Sequence, residues 1–410
     1  MIYQCPPVFV VVRYRFHFYH TGAADRDLNT MKILIINYEY PPLGGGGGVA
    51  THDLALEWAK HGQVDVLTSW FQGLPFYEEI EGIRVHRVRI LFRKSRDVAS
   101  FLSMLSYLPF GFFKGFSLCK KNHYNVINTH FAVPSGPLGY VLGKLFHIPN
   151  VLSLHGGDIY DPSKKLSPYR NVFFRNVVRF ILNRADRVVA QSSNTRDNAV
   201  KYFSPRKEIG IIPLAFHPPS LTETARNELG LKDGDFLLIT IGRIIKRKAI
   251  DTMVSALGKI PDDRVKLLIA GDGPEKEHIA SLARRLNIEK RVIFLGYVSD
   301  ENKYRFISVS DLFISTSLHE GFGIVFMEAM YCGLPIICTN HGGQVDFLAH
   351  EKNALLMDVG DVDACAGYIR RFIEEPALYR ACSENNRKKV RDFYAEAVAG
   401  RYLSLFRELH

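Results

Sequence analysis

Residues 312–338 of the chain read LFISTSLHEGFGIVFMEAMYCGLPIIC. The apolar runs at both ends predict two short buried strands, and the apolar segment from Ile324 to Tyr331 predicts a helix between them. A strand, a helix and a second strand in this order form the repeating unit of a parallel sheet that is covered by helices on both faces. The stretch therefore predicts an α/β fold.

Two carboxylates in this stretch, Glu320 and Glu328, lie eight residues apart on either side of the predicted helix start. Gly321 and Gly323 allow the backbone between them to approach a ligand closely. The first N–H groups of the helix have no partner within it, and together with the helix dipole they attract phosphate. The loop therefore offers an acid for a sugar hydroxyl, amides for a diphosphate and an acid for a ribose.

Strand and helix patterns alternate along most of the chain, and the pattern restarts near residue 236. The segment IPLAFHPP at residues 212–219 lies between the two halves and is typical of a linker. These patterns predict two doubly wound α/β domains that face each other across a cleft. Ligands of such sheets bind beyond the carboxyl ends of the strands, which is where the motifs of this chain fall.

The composition, with 47% hydrophobic and 23% charged residues in a chain of 410, is that of a soluble globular protein with room for two cores. The six cysteines form no C-x-x-C pair and no metal-binding spacing, so we expect reduced thiols and a cytoplasmic protein. Residues 31–213 hold 23 Lys and Arg against 13 Asp and Glu, which accounts for the net charge of +10. The excess of positive charge in this N-terminal half favours binding to an anionic surface or an anionic substrate. No recognised nucleic-acid-binding module accompanies the charge, so we expect no nucleic-acid partner.

The segment from Glu320 to Glu328 resembles the E-x7-E signature of the retaining glycosyltransferases of the GT-B fold, in particular family 4 (glycosyl transferases group 1). Five further elements resemble motifs of this family. They are the glycine loop at 44–48, HGGD at 155–158, GRIIKRK at 242–248, AGDGPE at 270–275 and LGYVSD at 295–300. The resemblance covers roughly residues 31 to 410.

The resemblance implies a GT-B fold of two Rossmann-like domains. The implied division is an N-terminal acceptor-binding domain at 31–213, a C-terminal nucleotide-sugar-binding domain at 214–390 and a last helix at 391–410 that crosses back to the first domain. We expect residues 1–30 to be an extension outside the core, because Met31 begins a natural first strand. The apolar run at 8–12 is too short for a membrane span and lacks the order of a signal peptide.

The resemblance also implies how a nucleotide diphosphate sugar, the expected donor, is held. Gly47 and Gly48 would line its phosphates, and Arg243 and Lys248 would offset the charge on the departing diphosphate. The alternative for the two cations is a solvated basic loop. Ala249 departs from the family pattern, because glycine usually follows the lysine.

The remaining implied roles concern the sugars and the nucleotide. Glu320 would hold a donor sugar hydroxyl, Glu328 would bind the ribose, the amides of Phe322, Gly323 and Ile324 would face the diphosphate, His155 would lie beside the transferred sugar, and Asp158 would orient the acceptor. Without the resemblance, each residue has another interpretation. His155 would be a structural histidine, Glu320 a surface acid and Glu328 a helix acid whose carboxylate is bonded to its neighbours.

The activity implied is that of a retaining hexosyltransferase that needs no metal and no other cofactor. The acceptor hydroxyl would attack the face from which the diphosphate leaves, while the protein positions both reactants and stabilises charge. The expected acceptor is a cell-envelope glycan or glycolipid, as in polysaccharide biosynthesis. Two alternatives are a non-catalytic nucleotide-sugar-binding protein, since a fold alone proves no chemistry, and a sugar-nucleotide epimerase of the same fold.

Two segments of the N-terminal half raise the question of a membrane contact. Residues 89–121 combine aromatic side chains with Lys and Arg, and residues 171–187 form a second basic amphipathic stretch. Such segments are typical of the membrane interface, which would make the protein peripheral on the cytoplasmic face. The alternative is a set of helices packed on the first sheet with a solvated basic face. Pro109, Gly111 and Gly115 argue against a membrane span.

Overall fold

The structure, a computed structural model, describes residues 31–93, 100–163 and 167–410. The extension expected at residues 1–30 lies outside the described residues, and so do Lys94 and Arg96 of the aromatic stretch. The described chain folds around two sheets, one in each half of the sequence. The prediction of two doubly wound α/β domains is confirmed.

The first sheet contains eight strands in the order β3-β4-β2-β1-β5-β6-β7-β8. They are β1 (Met31–Asn37), β2 (Gly62–Ser69), β3 (Tyr77–Ile80), β4 (Ile83–Val88), β5 (Val126–His130), β6 (Asn150–Leu154), β7 (Arg187–Ala190) and β8 (Ile209–Ile211). All neighbours are parallel except β3 and β4, which form an antiparallel pair at one edge. Residues 33–36 of β1 are fully buried, as a strand covered by helices on both faces requires.

The second sheet contains six parallel strands in the order β11-β10-β9-β12-β13-β14. They are β9 (Phe236–Ile241), β10 (Val265–Ala270), β11 (Val292–Gly296), β12 (Leu312–Ser315), β13 (Ile336–Thr339) and β14 (Leu355–Met357). The stretch at 312–338 forms β12, a helix and β13, and the two strands are neighbours in the sheet. The strands β3, β8 and β14 are not predicted by the sequence, because β8 and β14 have only three residues each and β3 has two glutamates among its four.

Helices cover both sheets. They are α1 (Gly46–Ala59), α2 (Phe101–Asn122), α3 (Ser135–Phe146), α4 (Val172–Arg184), α5 (Ser193–Phe203), α6 (Ile250–Gly258), α7 (Lys276–Arg285), α8 (Asp300–Val309), α9 (Ile324–Tyr331), α10 (Val362–Glu374), α11 (Pro376–Lys389) and α12 (Ala395–Arg407). Two short 3-10 turns at Lys246–Lys248 and Gly343–Asp346 lie beside the cleft described below.

Helix α2 runs without interruption through Pro109, Gly111 and Gly115. Proline and glycine have a low propensity for helix interiors. The two glycines have a packing role. A Cβ on Gly111 would lie 2.7 Å from Leu138 of α3, and one on Gly115 would lie 2.4 Å from Leu142. The glycines therefore allow α2 and α3 to pack closely against each other, which outweighs their low helix propensity.

The last helix, α12, packs on α1 of the first domain although it follows the second domain in sequence. The ring of Trp58 in α1 lies 5.7 Å from that of Tyr402 and 5.3 Å from that of Phe406, between ring centroids. The Tyr402 hydroxyl also lies 3.0 Å from the Ser153 hydroxyl in β6. This buried aromatic contact ties the carboxyl-terminal end of the chain to the first sheet.

Candidate active site

The candidate residues lie at the point in each sheet where the strand order changes direction. This point falls between β1 and β5 in the first sheet and between β9 and β12 in the second. Loops from the two domains touch there. The Ser192 hydroxyl, after β7, donates to the Gly321 carbonyl at 2.8 Å, and the Ser193 amide donates to Asp346 at 2.6 Å. The two switch points therefore face one cleft, where ligands of doubly wound sheets bind.

Glu320 follows β12 and is almost fully buried beside two cations. Its carboxylate accepts hydrogen bonds from the Lys248 ammonium at 3.0 Å and from the Arg247 guanidinium at 3.1 Å. Burial by itself would raise the pKa of Glu320, but the charges of Lys248 and Arg247 outweigh it and hold the pKa below its usual value. Glu320 is therefore a carboxylate in a fixed position at the floor of the cleft.

The loop after β9 supplies the cations. Lys248 ends a 3-10 turn, and Ala249 follows it with a φ of +44°, a backbone conformation that favours glycine. This explains why glycine is usual at that position, and here alanine adopts the same conformation. Arg243 is exposed, and its side chain has no hydrogen-bond or ion-pair partner among residues 31–93, 100–163 and 167–410. It is available to an anionic ligand.

The turn from Glu320 into α9 depends on glycine. Gly323 has a φ of +89°, and a Cβ there would lie 2.6 Å from the Phe326 ring. Gly343, in the 3-10 turn at Gly343–Asp346, stabilises this loop. Its amide donates a hydrogen bond to the Glu320 carbonyl at 2.7 Å. The first amides of α9, including that of Ile324, point along the helix axis into the cleft, as at any helix start.

Glu328 lies on the second turn of α9 and is buried. One carboxylate oxygen accepts a hydrogen bond from Lys303 of α8 at 2.7 Å, whereas the other has no partner among the described residues. Burial alone would lower the pKa of Lys303, but the charge of Glu328 raises it above its usual value, so Lys303 is charged at neutral pH. This second oxygen is buried and can accept a hydrogen bond.

The glycine loop forms the first turn of α1, which begins at Gly46. The sequence predicts a start at Val49, directly after the run of glycines. Gly47 and Gly48 are thus inside the helix, where they leave room for close neighbours. A Cβ on Gly46 would lie 3.3 Å from the side chain of Ile324, the first residue of α9. The N-terminal ends of α1 and α9 therefore meet across the cleft, one from each domain.

His155 follows β6, and its loop is held by Asp158. One oxygen of Asp158 accepts the His155 amide at 3.0 Å and the other accepts the Ala132 amide at 2.6 Å. The loop also touches the second domain, because a Cβ on Gly156 would lie 3.1 Å from the Cα of Gly321. Asp158 joins the loops after β5 and β6, and it brings His155 against the loop that carries Glu320.

The cleft thus gathers groups suited to an anionic, hydroxyl-rich ligand. Two helix N-termini and three cations, Lys248, Arg247 and Arg243, favour phosphate. Two fixed carboxylates, Glu320 and Glu328, can accept hydrogen bonds from hydroxyl groups. Among the residues that the structure describes, no group of three or more His, Cys, Asp or Glu side chains is arranged to hold a metal ion.

The sequence did not identify several groups that complete this cleft. Arg247 lies in the basic loop and has no role implied by the sequence, yet it binds both Glu320 and the His319 carbonyl, at 2.7 Å for the carbonyl. Lys303, which pairs with Glu328, and Gly343, which supports the Glu320 loop, lie in segments with no recognisable motif. The roles of Arg247, Lys303 and Gly343 are visible only in the folded structure, because each contacts a residue that is 23 or more positions away in sequence.

Comparison with protein families gives two matches that together span most of the chain. The model of glycosyltransferase family 4 matches residues 44–218, and the model of glycosyl transferases group 1 matches residues 222–389. The first match contains the glycine loop and the His155 loop. The second contains the Lys248 loop and both glutamates.

Relatives and solved structures agree with these matches. The N-acetyl-alpha-D-glucosaminyl L-malate synthase of Bacillus anthracis is 28% identical over 92% of this chain and 97% of the relative. The alpha-monoglucosyldiacylglycerol synthase of Streptococcus pneumoniae is 26% identical over 90% of this chain and 86% of the relative. Sucrose-phosphate synthase from Thermosynechococcus elongatus superposes with a TM-score of 0.80 at 26% identity, over 92% of this chain and 99% of that one. The chain therefore belongs to family 4 of the GT-B-fold glycosyltransferases, the glycosyl transferases group 1.

Proposed function

We propose that the protein is a retaining, metal-independent glycosyltransferase that moves a hexose from a nucleotide diphosphate sugar to a cell-envelope glycan or glycolipid. The observation that carries this proposal is the meeting of the α1 and α9 N-termini beside the Lys248–Glu320 pair. Two helix dipoles and a cation attract a diphosphate, and the fixed carboxylate binds a hydroxyl of the sugar attached to it.

In this proposal the donor lies along the loop between Glu320 and Glu328. The free oxygen of Glu328 accepts a hydrogen bond from the ribose, the α9 amides from Phe322 to Ile324 face the diphosphate, and Glu320 accepts a hydrogen bond from a sugar hydroxyl. The first turn of α1, which contains Gly47 and Gly48, lines the phosphates. Lys248 and Arg243 balance the negative charge of the leaving group.

The proposed reaction keeps the anomeric configuration. The bond between the anomeric carbon and the phosphate oxygen breaks, and its electron pair stays on the diphosphate. The acceptor oxygen bonds to the anomeric carbon on the same face, and its proton passes to the phosphate oxygen that has left. The side chains contribute positioning and charge stabilisation, which suits the fixed ion pairs of the cleft.

The test of this function is nucleotide release from purified protein. UDP-, GDP- and ADP-hexoses are offered singly, without acceptor and with a membrane extract as the acceptor source. We expect slow release from one class of donor, faster release with the extract, no change with EDTA, and a product with the donor's anomeric configuration by NMR. Tight binding without release would indicate a binding protein, and interconversion of two nucleotide sugars would indicate an epimerase.

A membrane contact is a further part of the proposal, and the surface formed by α2, α3 and α4 supports it. Phe113 of α2 is 72% exposed and Phe173 of α4 is 69% exposed. Ring contacts join the three helices, for example Phe101 to Phe174 and Tyr140 to Phe180. The helices carry three Lys, one Lys and three Arg respectively, and no Asp or Glu. We propose that this surface, the aromatic basic face, rests on anionic lipid.

No helix in the part of the chain that the structure describes is long and apolar enough to cross a membrane. The proposed contact is therefore interfacial, with exposed phenylalanines among the acyl chains and Lys and Arg near the headgroups. A glycolipid acceptor could then be reached without leaving the membrane. The alpha-monoglucosyldiacylglycerol synthase relative, whose name contains a lipid, supports an acceptor of this class.

Replacing both Phe113 and Phe173 with serine is expected to weaken binding to anionic vesicles about tenfold, because two aromatic rings no longer enter the bilayer. Co-sedimentation with vesicles of phosphatidylglycerol and phosphatidylcholine measures this. Tyr297→Ser is the matched control, because Tyr297 is an exposed aromatic residue of the second domain, 86% accessible. Equal binding by the double variant and the wild type would contradict the aromatic basic face.

A further inference from the structure

A series of buried polar side chains is connected to the ring of His155 by hydrogen bonds. The proposed reaction does not use these side chains. His155 Nε2 lies 2.9 Å from Nδ1 of His130, the last residue of β5. His130 Nε2 lies 2.7 Å from the amide oxygen of Asn128. Thr51 of α1 approaches the same His130 Nδ1 at 3.1 Å. All of these contacts lie at the switch point of the first sheet.

The Asn128 amide has a fixed orientation. Its nitrogen donates to the Val151 carbonyl at 3.1 Å and to the Ser153 hydroxyl at 3.1 Å. Its oxygen therefore faces His130, and an amide oxygen can only accept. The hydrogen between Asn128 and His130 must come from His130 Nε2.

The ring of His130 carries no second hydrogen. Burial, together with the neighbouring His155, lowers the pKa of His130 well below its usual value, so the ring is neutral. A neutral imidazole has one N–H, and Nδ1 of His130 is consequently an acceptor. Two groups approach this acceptor, the Thr51 hydroxyl and His155 Nε2.

The Thr51 hydroxyl has another acceptor for its hydrogen. It donates to the Gly47 carbonyl at 2.7 Å, and its oxygen accepts from the Asn37 amide at 2.9 Å. The group that donates to His130 is therefore His155, through Nε2–H. Burial lowers the pKa of His155 to about 3, so this ring is also neutral and its Nδ1 carries no hydrogen.

The bare nitrogen is buried against the first turn of α1. His155 Nδ1 has no hydrogen-bond partner among the described residues. It faces the first turn of α1, since a Cβ on Gly47 would lie 3.1 Å from it. The ring is held there by stacking on Phe131, with ring centroids 4.3 Å apart. A hydroxyl of a bound sugar is a natural donor for such an acceptor.

We propose that His130 is a positioning residue that fixes His155 as the Nε2–H tautomer, so that Nδ1 of His155 remains a hydrogen-bond acceptor for a sugar hydroxyl in the cleft. The inference rests on the proposed function for the identity of the ligand. The tautomer itself follows from the contacts of Asn128, Thr51 and His130 and is independent of any activity.

The first test is histidine-selective ¹⁵N NMR of the full chain, in which two-bond correlations distinguish the tautomers of a neutral imidazole. The His155 signals are assigned by their loss in His155→Gln. We expect His155 to be the Nε2–H tautomer in the wild type. In His130→Leu, which has no acceptor at this position, we expect this tautomer to lose its dominance. In His130→Asn, whose amide oxygen can accept near the former Nδ1 position, we expect it to return.

The second test separates positioning from folding. His130→Leu is expected to lower kcat/KM for the donor about tenfold, the loss of roughly one hydrogen bond to the ligand, and His130→Asn is expected to recover most of it. A wild type with hydrogen on Nδ1 of His155, or a tautomer unchanged in His130→Leu, would overturn the inference. The expected tautomer in a protein that turns over no donor would instead refute the proposed function alone.

Discussion

Replacing Lys248 with methionine is expected to lower kcat for glycosyl transfer about 100- to 1000-fold, the usual effect of removing one charge-stabilising group from an active site. The Lys248 ammonium is 3.0 Å from Glu320 and stands beside the N-terminus of α9, where negative charge would develop on the leaving diphosphate. Because this charge grows in the transition state, the loss should appear in kcat more than in KM for the donor.

The matched control for this prediction is Lys246→Met. Lys246 lies two residues earlier in the same 3-10 turn and is exposed, so the variant changes net charge equally without altering the Glu320 contact. Turnover of donor and acceptor is measured for both variants at a temperature below their melting points. A Lys248→Met variant with more than about a tenth of wild-type kcat would contradict the role of Lys248.

Stability must be measured alongside, because Lys248→Met leaves the buried Glu320 with Arg247 as its remaining cation. Removing one partner of a buried ion pair is destabilising, since the other charge loses part of its compensation. The double variant Lys248→Met/Glu320→Gln removes both charges of the pair. A recovery of melting temperature would show that the uncompensated charge of Glu320 causes the loss of stability in Lys248→Met.

The parts of the site that the sequence predicted are those with a local pattern. Glu320 and Glu328 are separated by a glycine turn and an apolar helix start, and α9 begins at Ile324 as predicted. Lys248 follows a buried strand at a fixed spacing. The alternation of strands and helices predicted both sheets, because parallel strands covered by helices are apolar along their whole length.

The parts that the sequence did not predict depend on contacts between distant segments. Arg247 reaches Glu320 across 73 positions, and His130 reaches His155 across 25. Neither pairing has a spacing rule, since each is set by the order of strands in a sheet. The start of α1 was misplaced because a run of glycines has low helix propensity. The first turn forms there because Gly46–Gly48 lie against Ile324, His155 and the Glu39 backbone with no room for a Cβ.

Replacing Gly343 with alanine is expected to disrupt donor binding although Gly343 contacts no proposed ligand. A Cβ at this position would lie 1.9 Å from the Gly321 carbonyl oxygen and 2.7 Å from the Ser192 hydroxyl. These two groups form one of the hydrogen bonds that join the domains, at 2.8 Å. The φ of Gly343 is not positive, so the expected effect comes from lack of space and not from backbone strain.

The new methyl group must displace the loop that begins at Glu320, because the Gly343 amide is bonded to the Glu320 carbonyl at 2.7 Å and cannot move independently. A shift of about 1 Å in a positioning loop lowers catalytic efficiency about 100-fold, and overpacking lowers the free energy of unfolding by about 1–3 kcal/mol. We therefore expect kcat/KM for the donor to fall about 100-fold, with a lower melting temperature. Steady-state kinetics with varied donor and thermal unfolding measure these two effects, and donor titration by calorimetry measures binding separately.

Gly367→Ala is the matched control, because Gly367 lies inside helix α10 with nothing within 4 Å of an added Cβ. In a helix interior this change is expected to stabilise by roughly 0.5–1 kcal/mol and to leave donor binding unchanged. If Gly343→Ala bound donor as tightly as Gly367→Ala, the contact between the Gly321 and Ser192 loops would not be needed for the donor site. If Gly343→Ala lost donor affinity while it remained folded, the cleft would depend on close backbone packing between the domains, because the variant replaces none of the proposed ligand-binding side chains.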